Sequence, residues 1–285
     1  MNKKSLLVIG CGDIGGAVAE HFAADGWDVT GVRRQSVPRT GVTMIAADIT
    51  DPATLSVLAE QAPTYVLFVL TPGGFTDERY RAVYVDGAKN CLARLNTTNL
   101  RRVFWVSSTS VYHQDDGLRI DENSPTAPSG FSGRRLLEAE QIIRDSGFAH
   151  TVLRLGGIYG PGRERLLRQL REGVRSPEVP ARYSNRIHRD DAVGILQFLL
   201  QRSEAGVALD DLYLGVDTQP SPLAEIERWF SDYLGLHYAE LQEQSSEQRG
   251  GNRRCSSERL QTLGYQFLYP TYREGLPTLL REHRE

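Results

Sequence analysis

Short apolar runs alternate with helical patterns through the first half of the chain. Nearly uninterrupted apolar stretches predict strands at residues 6–9, 28–32, 42–46, 64–70, 101–106 and 150–155. Helical spacing of apolar residues predicts helices at 52–61, 77–95 and 133–145. Strands that alternate with helices indicate βαβ units and a parallel sheet, and uninterrupted apolar strands are typical of a sheet covered on both faces. The pattern therefore predicts the α/β class, with a doubly wound parallel sheet of the Rossmann type.

The pattern becomes looser after residue 160. A helix is predicted at 190–201 and a short strand at 212–214, while the polar stretch 242–254 is predicted to be an exposed loop. We expect residues 1–160 to form a sheet domain, to which residues 185–215 return. The segments 161–184 and 216–285 are expected to form a smaller C-terminal lobe on the substrate side.

Composition and charge narrow the classes of function. The chain has 285 residues, enough for a large core, and its formal net charge of −3 gives no reason to expect a nucleic-acid partner. No stretch reaches the roughly 20 apolar residues of a membrane span, so we expect no membrane partner and a cytoplasmic location. The three cysteines lie far apart and lack the spacing of metal ligands, so no metal site is predicted.

The first apolar run leads into glycines with the spacing G-x-G-x-x-G. The loop reads GCGDIGG, and a helical pattern follows it. A strand, a tight turn and a helix in this order form a dinucleotide fingerprint, in which Gly10 permits the turn, Gly12 lets the backbone approach a pyrophosphate and Gly15 lets the helix pack against the strand. Free N–H groups at the start of the helix would face the phosphates. We predict cofactor contacts from this loop, including Asp13 and Ile14.

The end of the second strand bears on the choice between NAD and NADP. An acidic residue there hydrogen-bonds the adenosine ribose of NAD, whereas arginine suits the 2′-phosphate of NADP. The strand ends at Arg33 and Arg34, with no Asp or Glu. We predict a preference for NADP over NAD; the alternative is a solvated turn with incidental arginines. After the third strand, Asp48 and Ile49 are candidates for contact with adenine, although Asp48 would alternatively cap the helix that begins near Pro52.

Motifs in the rest of the chain carry a family resemblance. Residues 106–112 read VSSTSVY, residues 154–162 read RLGGIYGPG, and residues 187–191 read IHRDD. In order and spacing they resemble the serine-bearing strand end, the Arg-x-x-x-x-Tyr-Gly-Pro-Gly segment and the His-x-Asp-Asp signature of the extended short-chain dehydrogenase/reductase family. With LGY at 263–265 and EGL at 274–276, the resemblance covers almost the whole chain. It is to the branch of NAD-dependent epimerases, dehydratases and reductases, and implies a small carbonyl or sugar-like substrate.

The catalytic pair of that family is missing here. The resemblance implies a serine and a Tyr-x-x-x-Lys pair, in which the tyrosine exchanges a proton with the substrate and the lysine lowers the tyrosine pKa and binds the nicotinamide ribose. In the nearest register, Phe131 stands at the tyrosine position and Arg135 at the lysine position. Phenylalanine has no exchangeable proton, and arginine keeps the charge without the compact donor geometry. Ser108 matches the catalytic serine position and is predicted to polarise a carbonyl.

Three interpretations of this departure stay open. Another group donates the proton, with Tyr112, Tyr159 and His188 as candidates, of which we assign Tyr112 a catalytic role beside Ser108. Alternatively, the protein binds NADP(H) without turnover, as a regulatory or interaction protein. In the third interpretation, hydride transfer takes its proton from water. Besides the residues named above, we assign cofactor contacts to Leu70, Thr71, Pro72, Ser107, Arg135, Gly157 and Ile158.

Two further features concern partners. Arg253 and Arg254 follow two glycines in the polar stretch. The resemblance to nucleotide-sugar enzymes suggests that they hold an anionic group of a small-molecule substrate, and a solvated loop is the alternative. Relatives dimerise through helices of the sheet domain, which correspond here to 77–95 and 133–145. We therefore expect a homodimer, with packing of these helices on their own sheet as the alternative.

Overall fold

The central element of the structure is a seven-stranded parallel sheet. The computed structural model describes residues 4–244 and 251–280 of the chain. The strands of the sheet, β1 to β7 in chain order, are Ser5–Ile9, Asp28–Arg33, Thr43–Ala46, Tyr65–Phe68, Arg102–Ser108, His150–Leu155 and Leu212–Gly215. Their order across the sheet is β7-β6-β5-β4-β1-β2-β3. The predicted α/β class and Rossmann-type sheet are thereby confirmed.

The strand β1 lies at the point where the order of the sheet reverses. Its last residue, Ile9, pairs with Val32 of β2 and with Phe68 of β4. Leu6, Leu7 and Val8, which precede it, are all at most 1% exposed, as expected for a strand covered on both faces. In sheets of this kind, ligands bind outside the carboxyl ends of the strands at the reversal point. The turns after β1, β2 and β4 meet at this edge.

Helices cover the sheet and continue beyond it. The α-helices α1 to α9 are Asp13–Ala24, Asp77–Tyr80, Gly87–Leu92, Phe131–Asp145, Arg165–Arg171, Arg189–Glu204, Leu223–Leu234, Glu258–Leu263 and Tyr272–Gly275. A π-helical segment, Arg81–Asp86, joins α2 to α3, so the helix predicted at 77–95 is one continuous helical run from Asp77 to Leu92. Short 3₁₀ segments occupy Pro52–Glu60, Thr109–Val111, Tyr238–Glu240 and Leu276–Leu280. None of the helices within the described residues combines the length and the hydrophobicity needed to cross a membrane.

The chain divides into two compact units. The first comprises Met1–Val111, Ala127–Arg154 and Val193–Tyr213. The second comprises Tyr112–Thr126, Leu155–Ala192 and Leu214–Glu285. The first unit contains the glycine loop and most of the sheet. The second has its own buried apolar cluster, to which α5, α7 and α9 contribute.

Small pairs of strands replace part of the loop predicted at 242–254. Gln242–Glu243 pairs with Val174–Arg175, and Arg254–Cys255 pairs with Arg119–Ile120. Arg253 is 3% exposed, so the prediction of a solvated loop is wrong at this position. The reason is the strand pairing, which draws this part of the chain into the second unit. Residues 245–250 of the predicted loop lie outside the described residues.

Candidate functional site

Two glycines of the first loop have no room for a side chain. Gly10 has a φ of +91°, and a Cβ there would lie 2.1 Å from the carbonyl oxygen of Val69. A Cβ on Gly15 would lie 2.5 Å from the carbonyl oxygen of Gly10 and 3.1 Å from Val8. The tight turn and the close contact of α1 with β1 therefore both require glycine.

The third glycine has space beside it instead. A Cβ on Gly12 would have no neighbour nearer than the Gly10 carbonyl oxygen at 4.0 Å, and Gly12 lines a cavity. Helix α1 begins immediately after Gly12, and no side chain caps its first turn. A helix start with uncapped N–H groups beside open space suits an anionic group such as a pyrophosphate.

The cavity beside the glycine loop brings together half of the predicted cofactor residues. It has a volume of about 500 Å³ and lies within the first unit. Its walls are formed by the ends of β1, β2, β3 and β4. The predicted residues that line it are Gly10, Gly12, Arg33, Arg34, Asp48, Ile49, Leu70 and Thr71. Asp13, Ile14, Gly15, Pro72, Ser107, Arg135, Gly157 and Ile158 are not among its lining residues, and their assignment to the cofactor stays a prediction.

The two arginines at the end of β2 have no carboxylate partner. Arg33 is half-buried and Arg34 is exposed, and neither forms an ion pair or a hydrogen bond with another described residue. Arg39, further along the same loop, is paired: it donates to Glu20 at 3.1 Å and to the Gly12 carbonyl oxygen at 2.6 Å. Both unpaired guanidinium groups are thus available to an anion in the cavity.

Asp48 lies in the cavity wall but is held by its own loop. Its Oδ1 accepts hydrogen bonds from the main-chain N–H and the hydroxyl of Thr50, at 2.9 and 2.7 Å. The residue that caps the following helix is Asp51, which accepts from Ala53 N–H at 3.0 Å. The alternative in which Asp48 is the helix cap is therefore wrong, because the helix begins three residues further on.

Arg135 is engaged by two carboxylates. Its Nε and Nη2 donate to Asp77 at 2.7 and 3.0 Å, and its Nη1 donates to Glu138 at 2.9 Å. These hydrogen bonds hold the pKa of Asp77 below its usual value and raise the pKa of Arg135. The charge expected at the lysine position is present, but carboxylates of the same unit neutralise it.

Phe131 belongs to an aromatic cluster. Its ring centroid lies 4.8 Å from that of Phe75 and 5.4 Å from that of Tyr80, with the Tyr80 ring edge-on. Phe75 itself is 42% exposed. The position that holds a phenol in the family therefore carries an apolar ring packed against two others.

A buried ion pair that the sequence analysis missed fixes the strand end before Ser108. Glu140 of α4 is fully buried and accepts from Arg154 Nε and Nη2, at 2.9 and 2.6 Å, and from the Ser107 hydroxyl at 2.7 Å. The Ser107 hydroxyl is therefore engaged in a hydrogen bond to this ion pair. A signal existed in the sequence, because Glu140 falls on the apolar stripe of the helix with Leu136 and Ile143, where an unpaired carboxylate is costly.

Ser108 is oriented by its own backbone. The Ser108 hydroxyl accepts a hydrogen bond from Ser110 N–H at 3.2 Å. Accepting this bond leaves the hydroxyl proton available for donation. Ser108 is half-buried, at the carboxyl end of β5.

The three alternative proton donors all lie in the second unit and are buried or engaged. The Tyr112 hydroxyl donates to the Asp121 carbonyl oxygen at 2.9 Å. Burial raises the pKa of Tyr159 and lowers the pKa of His188. His188 is fully buried, with Nε2 at 3.0 Å from the Thr278 hydroxyl. The catalytic role of Tyr112 stays a prediction.

The two arginines predicted to hold an anionic group differ in exposure. Arg253 is buried, whereas Arg254 is exposed and lies 5.2 Å from the centroid of the Tyr183 ring. The Nε of Arg254 donates to the Gly117 carbonyl oxygen at 2.8 Å. Of the pair, Arg254 presents its charge at the surface of the second unit.

Comparison with known proteins defines the family. A sequence model of the NAD dependent epimerase/dehydratase family matches residues 6–215. A solved structure from Methylobacillus flagellatus, named for the same family, is 36% identical and is aligned over 100% of both chains with a TM-score of 0.81. The chain belongs to the NAD-dependent epimerase/dehydratase family, which is part of the resemblance predicted from its motifs. The cofactor class that this membership supports is NAD(P).

More distant relatives differ in what their names state. Protein YeeZ of Escherichia coli is 27% identical over 214 residues, which cover 71% of this chain and 75% of that protein. A 3-diazoavenalumate denitrifying reductase of Streptomyces is 25% identical over 306 residues, covering 95% of this chain and 98% of that protein. The Bordetella bronchiseptica enzyme WbmG, solved with NAD and UDP, is 17% identical with a TM-score of 0.80 over 98% of this chain and 94% of that chain, a likeness of fold alone.

Proposed function

We propose that this protein is an NADP(H)-dependent oxidoreductase that acts on a small carbonyl or sugar-like substrate. The observation that carries the proposal is the pair Arg33 and Arg34, which line the cavity beside the glycine loop and have no carboxylate partner among the described residues. A guanidinium at this strand end suits a 2′-phosphate, whereas NAD would call for an acidic residue there. The open space at Gly12 and the uncapped start of α1 suit the pyrophosphate of the same cofactor.

The proton in this proposal comes from water. The hydride would come from bound NADPH, which would be converted to NADP⁺, and the carbonyl carbon of the substrate would accept it. The Ser108 hydroxyl, free to donate, polarises the carbonyl oxygen. Water then protonates that oxygen to complete the alcohol, because Phe131 has no proton to give. The absence of a phenol at 131 limits the protein to substrates whose reduction does not depend on a strong general acid.

The engaged state of the alternative donors supports this choice. A buried tyrosine whose pKa is raised, as at Tyr159, is a reluctant partner for proton exchange near neutral pH. His188, with a pKa lowered by burial, is neutral there. Tyr112 would have to give up its hydrogen bond to the Asp121 carbonyl oxygen before donating to a substrate.

An anionic group on the substrate and a homodimer remain parts of the proposal. Arg254, exposed beside Tyr183, supports the first, and the UDP bound to WbmG is a ligand of that chemistry. Leu136 and Ile143 of α4 are buried within a single chain. A dimer through α4 would therefore use the remaining, more polar face of the helix.

Hydride tracing tests whether the protein turns over. NADPH labelled with deuterium at the transferable position is incubated with the protein and a panel of small carbonyl compounds and UDP-sugars, and the products are analysed by mass spectrometry. We expect deuterium in a product, together with loss of NADPH absorbance. An altered sugar without net NADPH consumption would instead indicate an epimerase or dehydratase.

A second candidate function is binding of NADP(H) without turnover. The packed ring at Phe131 and the neutralised charge at Arg135 favour it. NADPH binding with no labelled or altered product across the panel would support this candidate. In the enzyme, Ser108→Ala lowers turnover and leaves NADPH binding unchanged, whereas the non-catalytic protein shows no turnover with or without this substitution.

A further inference from the structure

Two guanidinium groups converge on one glycine beside the cavity. Arg34 follows β2, and Arg79 lies in α2, which follows the loop after β4. The position that a Cβ would take on Gly73 is 3.7 Å from Arg34 Nη2 and 3.9 Å from Arg79 Nη1. Arg79 Nη1 also donates to the Gly73 carbonyl oxygen at 3.4 Å. Arg34 and Thr71 line the cavity, and Gly73 follows Thr71 by two residues, so the two charges lie close to the cavity wall.

Unlike neighbouring arginines, Arg34 and Arg79 are not paired with a carboxylate among the described residues. Within residues 4–244 and 251–280, neither Arg34 nor Arg79 forms an ion pair. The next arginine of the same helical run, Arg81, lies 3.8 Å from Asp86, and Arg39 is paired with Glu20. Two like charges held together without a counter-charge repel each other, and an anion between them relieves the repulsion.

The loop between β4 and α2 is built to hold Arg79 in this place. Gly73 has a φ of +69°, a conformation that favours glycine. A Cβ on Gly74 would lie 2.8 Å from the Arg79 Cδ, so the stem of the Arg79 side chain rests directly on the Gly74 backbone. Glycine at 74 therefore gives the arginine a fixed path toward Arg34.

We propose that Arg79 is a specificity-determining residue for NADP, which holds the 2′-phosphate together with Arg34. The proposal rests on the proposed function, because it places the 2′-phosphate at the end of β2. It differs from the expectation based on Arg33 and Arg34 alone, since the third charge comes from the helix after β4. Two guanidinium groups next to the same glycine can each form a charge-assisted hydrogen bond with one phosphate.

The test compares Arg79→Ala with Arg81→Ala, an exposed arginine on the same helical run. Both variants and the full-length wild type are titrated with NADPH and NADH by nicotinamide fluorescence. The competitors are 2′,5′-ADP, 3′,5′-ADP and 5′-AMP. For Arg79→Ala we expect about tenfold weaker binding of NADPH and 2′,5′-ADP, as for loss of one charge-assisted hydrogen bond. Binding of NADH and 5′-AMP should change less than about twofold, and Arg81→Ala should match the wild type.

A second variant keeps the positive charge of Arg79 but changes its position. Gly74→Ala displaces the Arg79 stem, and we expect it to reduce the ratio of NADPH to NADH affinity in the same direction as Arg79→Ala. Equal losses for NADPH and NADH would overturn the proposal in favour of a pyrophosphate contact. Tighter binding of 3′,5′-ADP than of 2′,5′-ADP would assign the site to a 3′-phosphate and overturn it as well. A wild type that binds neither dinucleotide contradicts the proposed function itself, whereas an unchanged ratio in both variants contradicts only the role of Arg79.

Discussion

The guanidinium of Arg135 donates two hydrogen bonds to the carboxylate of Asp77, from Nε at 2.7 Å and from Nη2 at 3.0 Å. Arg135 stands where the family resemblance places the lysine that lowers a tyrosine pKa. Asp77 therefore neutralises the positive charge of Arg135, which a tyrosine at this site would need for a lowered pKa. Together with Phe131, this ion pair leaves the site without the phenol and the unpaired cation that the resemblance implies at these two positions.

Restoring the missing pair should succeed only when Asp77 is also changed. In Phe131→Tyr with Arg135→Lys, we expect the introduced amine to pair with Asp77 and the introduced phenol to keep a pKa near its ordinary value of about 10. Adding Asp77→Asn frees the amine, so the phenol pKa should fall. Ultraviolet difference titration against the matching variant with Phe131 retained measures this pKa. Equal phenol pKa values with and without Asp77 would show that the ion pair has no such role.

Substitutions at Gly15 and at Gly12 should separate an effect on folding from an effect on cofactor binding. A Cβ on Gly15 collides with the Gly10 carbonyl oxygen, so Gly15→Ala should destabilise the protein by about 2 kcal/mol, in the range of overpacking. Gly12 has open space beside it, so Gly12→Ala should change the free energy of unfolding by less than about 1 kcal/mol. The new methyl group would nevertheless enter the cavity and weaken NADPH binding more than about tenfold. Urea unfolding and NADPH titration of both variants provide the comparison, and full NADPH affinity in Gly12→Ala would contradict the cavity assignment.

The buried pair of Glu140 and Arg154 should dominate the stability of α4. Glu140→Gln removes the negative charge that pairs with the Arg154 guanidinium, which stays buried. We expect the free energy of unfolding to fall by about 3–5 kcal/mol. The control is Glu138→Gln, an exposed carboxylate on the same helix, which should change it by less than about 0.5 kcal/mol. Chemical denaturation measures both. Equal effects of the two changes would mean that the buried pair contributes little.

Asp217 should make stability depend on pH in an unusual direction. It is 1% exposed, its Oδ2 has no hydrogen-bond partner among the described residues, and burial raises its pKa to about 7 from 3.8. Between these values the native state holds a proton that the unfolded state has lost, so stability falls as the pH rises from about 4 to about 7. The ionised group would cost about 4 kcal/mol above that range.

Replacing this carboxyl group should remove that part of the pH dependence. Urea unfolding of Asp217→Asn from about pH 4 to about pH 8 should show a shallower decline than the wild type. It should also show a higher free energy of unfolding at the alkaline end. Asp232→Asn, an exposed aspartate of the same unit, is the matched control. A slope in Asp217→Asn equal to that of the wild type would contradict the assignment.

The sheet and the glycine loop could be predicted because their signals are local. An apolar run that ends in Gly10, Gly12 and Gly15 contains its own strand, turn and helix, and the Arg33–Arg34 pair directly ends the next strand. Gly10, Gly12, Arg33 and Arg34 line one cavity because parallel strands end at one edge of the sheet.

The partners of these residues could not be predicted in the same way. Asp77 and Arg135 are 58 residues apart, and no periodicity joins them. The same is true of Arg34 and Arg79, which meet only because β2 and β4 flank β1. Local composition also misled at Arg253, where glycine and arginine indicated a solvated loop but the side chain is buried directly before the paired strand Arg254–Cys255. Interactions across the sheet decide these positions.

Titration of the wild type with NADPH and with NADH tests the central claim most directly. Nicotinamide fluorescence is followed in the wild type and in the variant that combines Arg33→Ala with Arg34→Ala. We predict that the wild type binds NADPH at least about tenfold more tightly than NADH, and that the double variant loses this preference while its NADH affinity stays unchanged. NADH binding as tight as NADPH binding in the wild type, or an unchanged NADPH affinity in the double variant, would contradict the account.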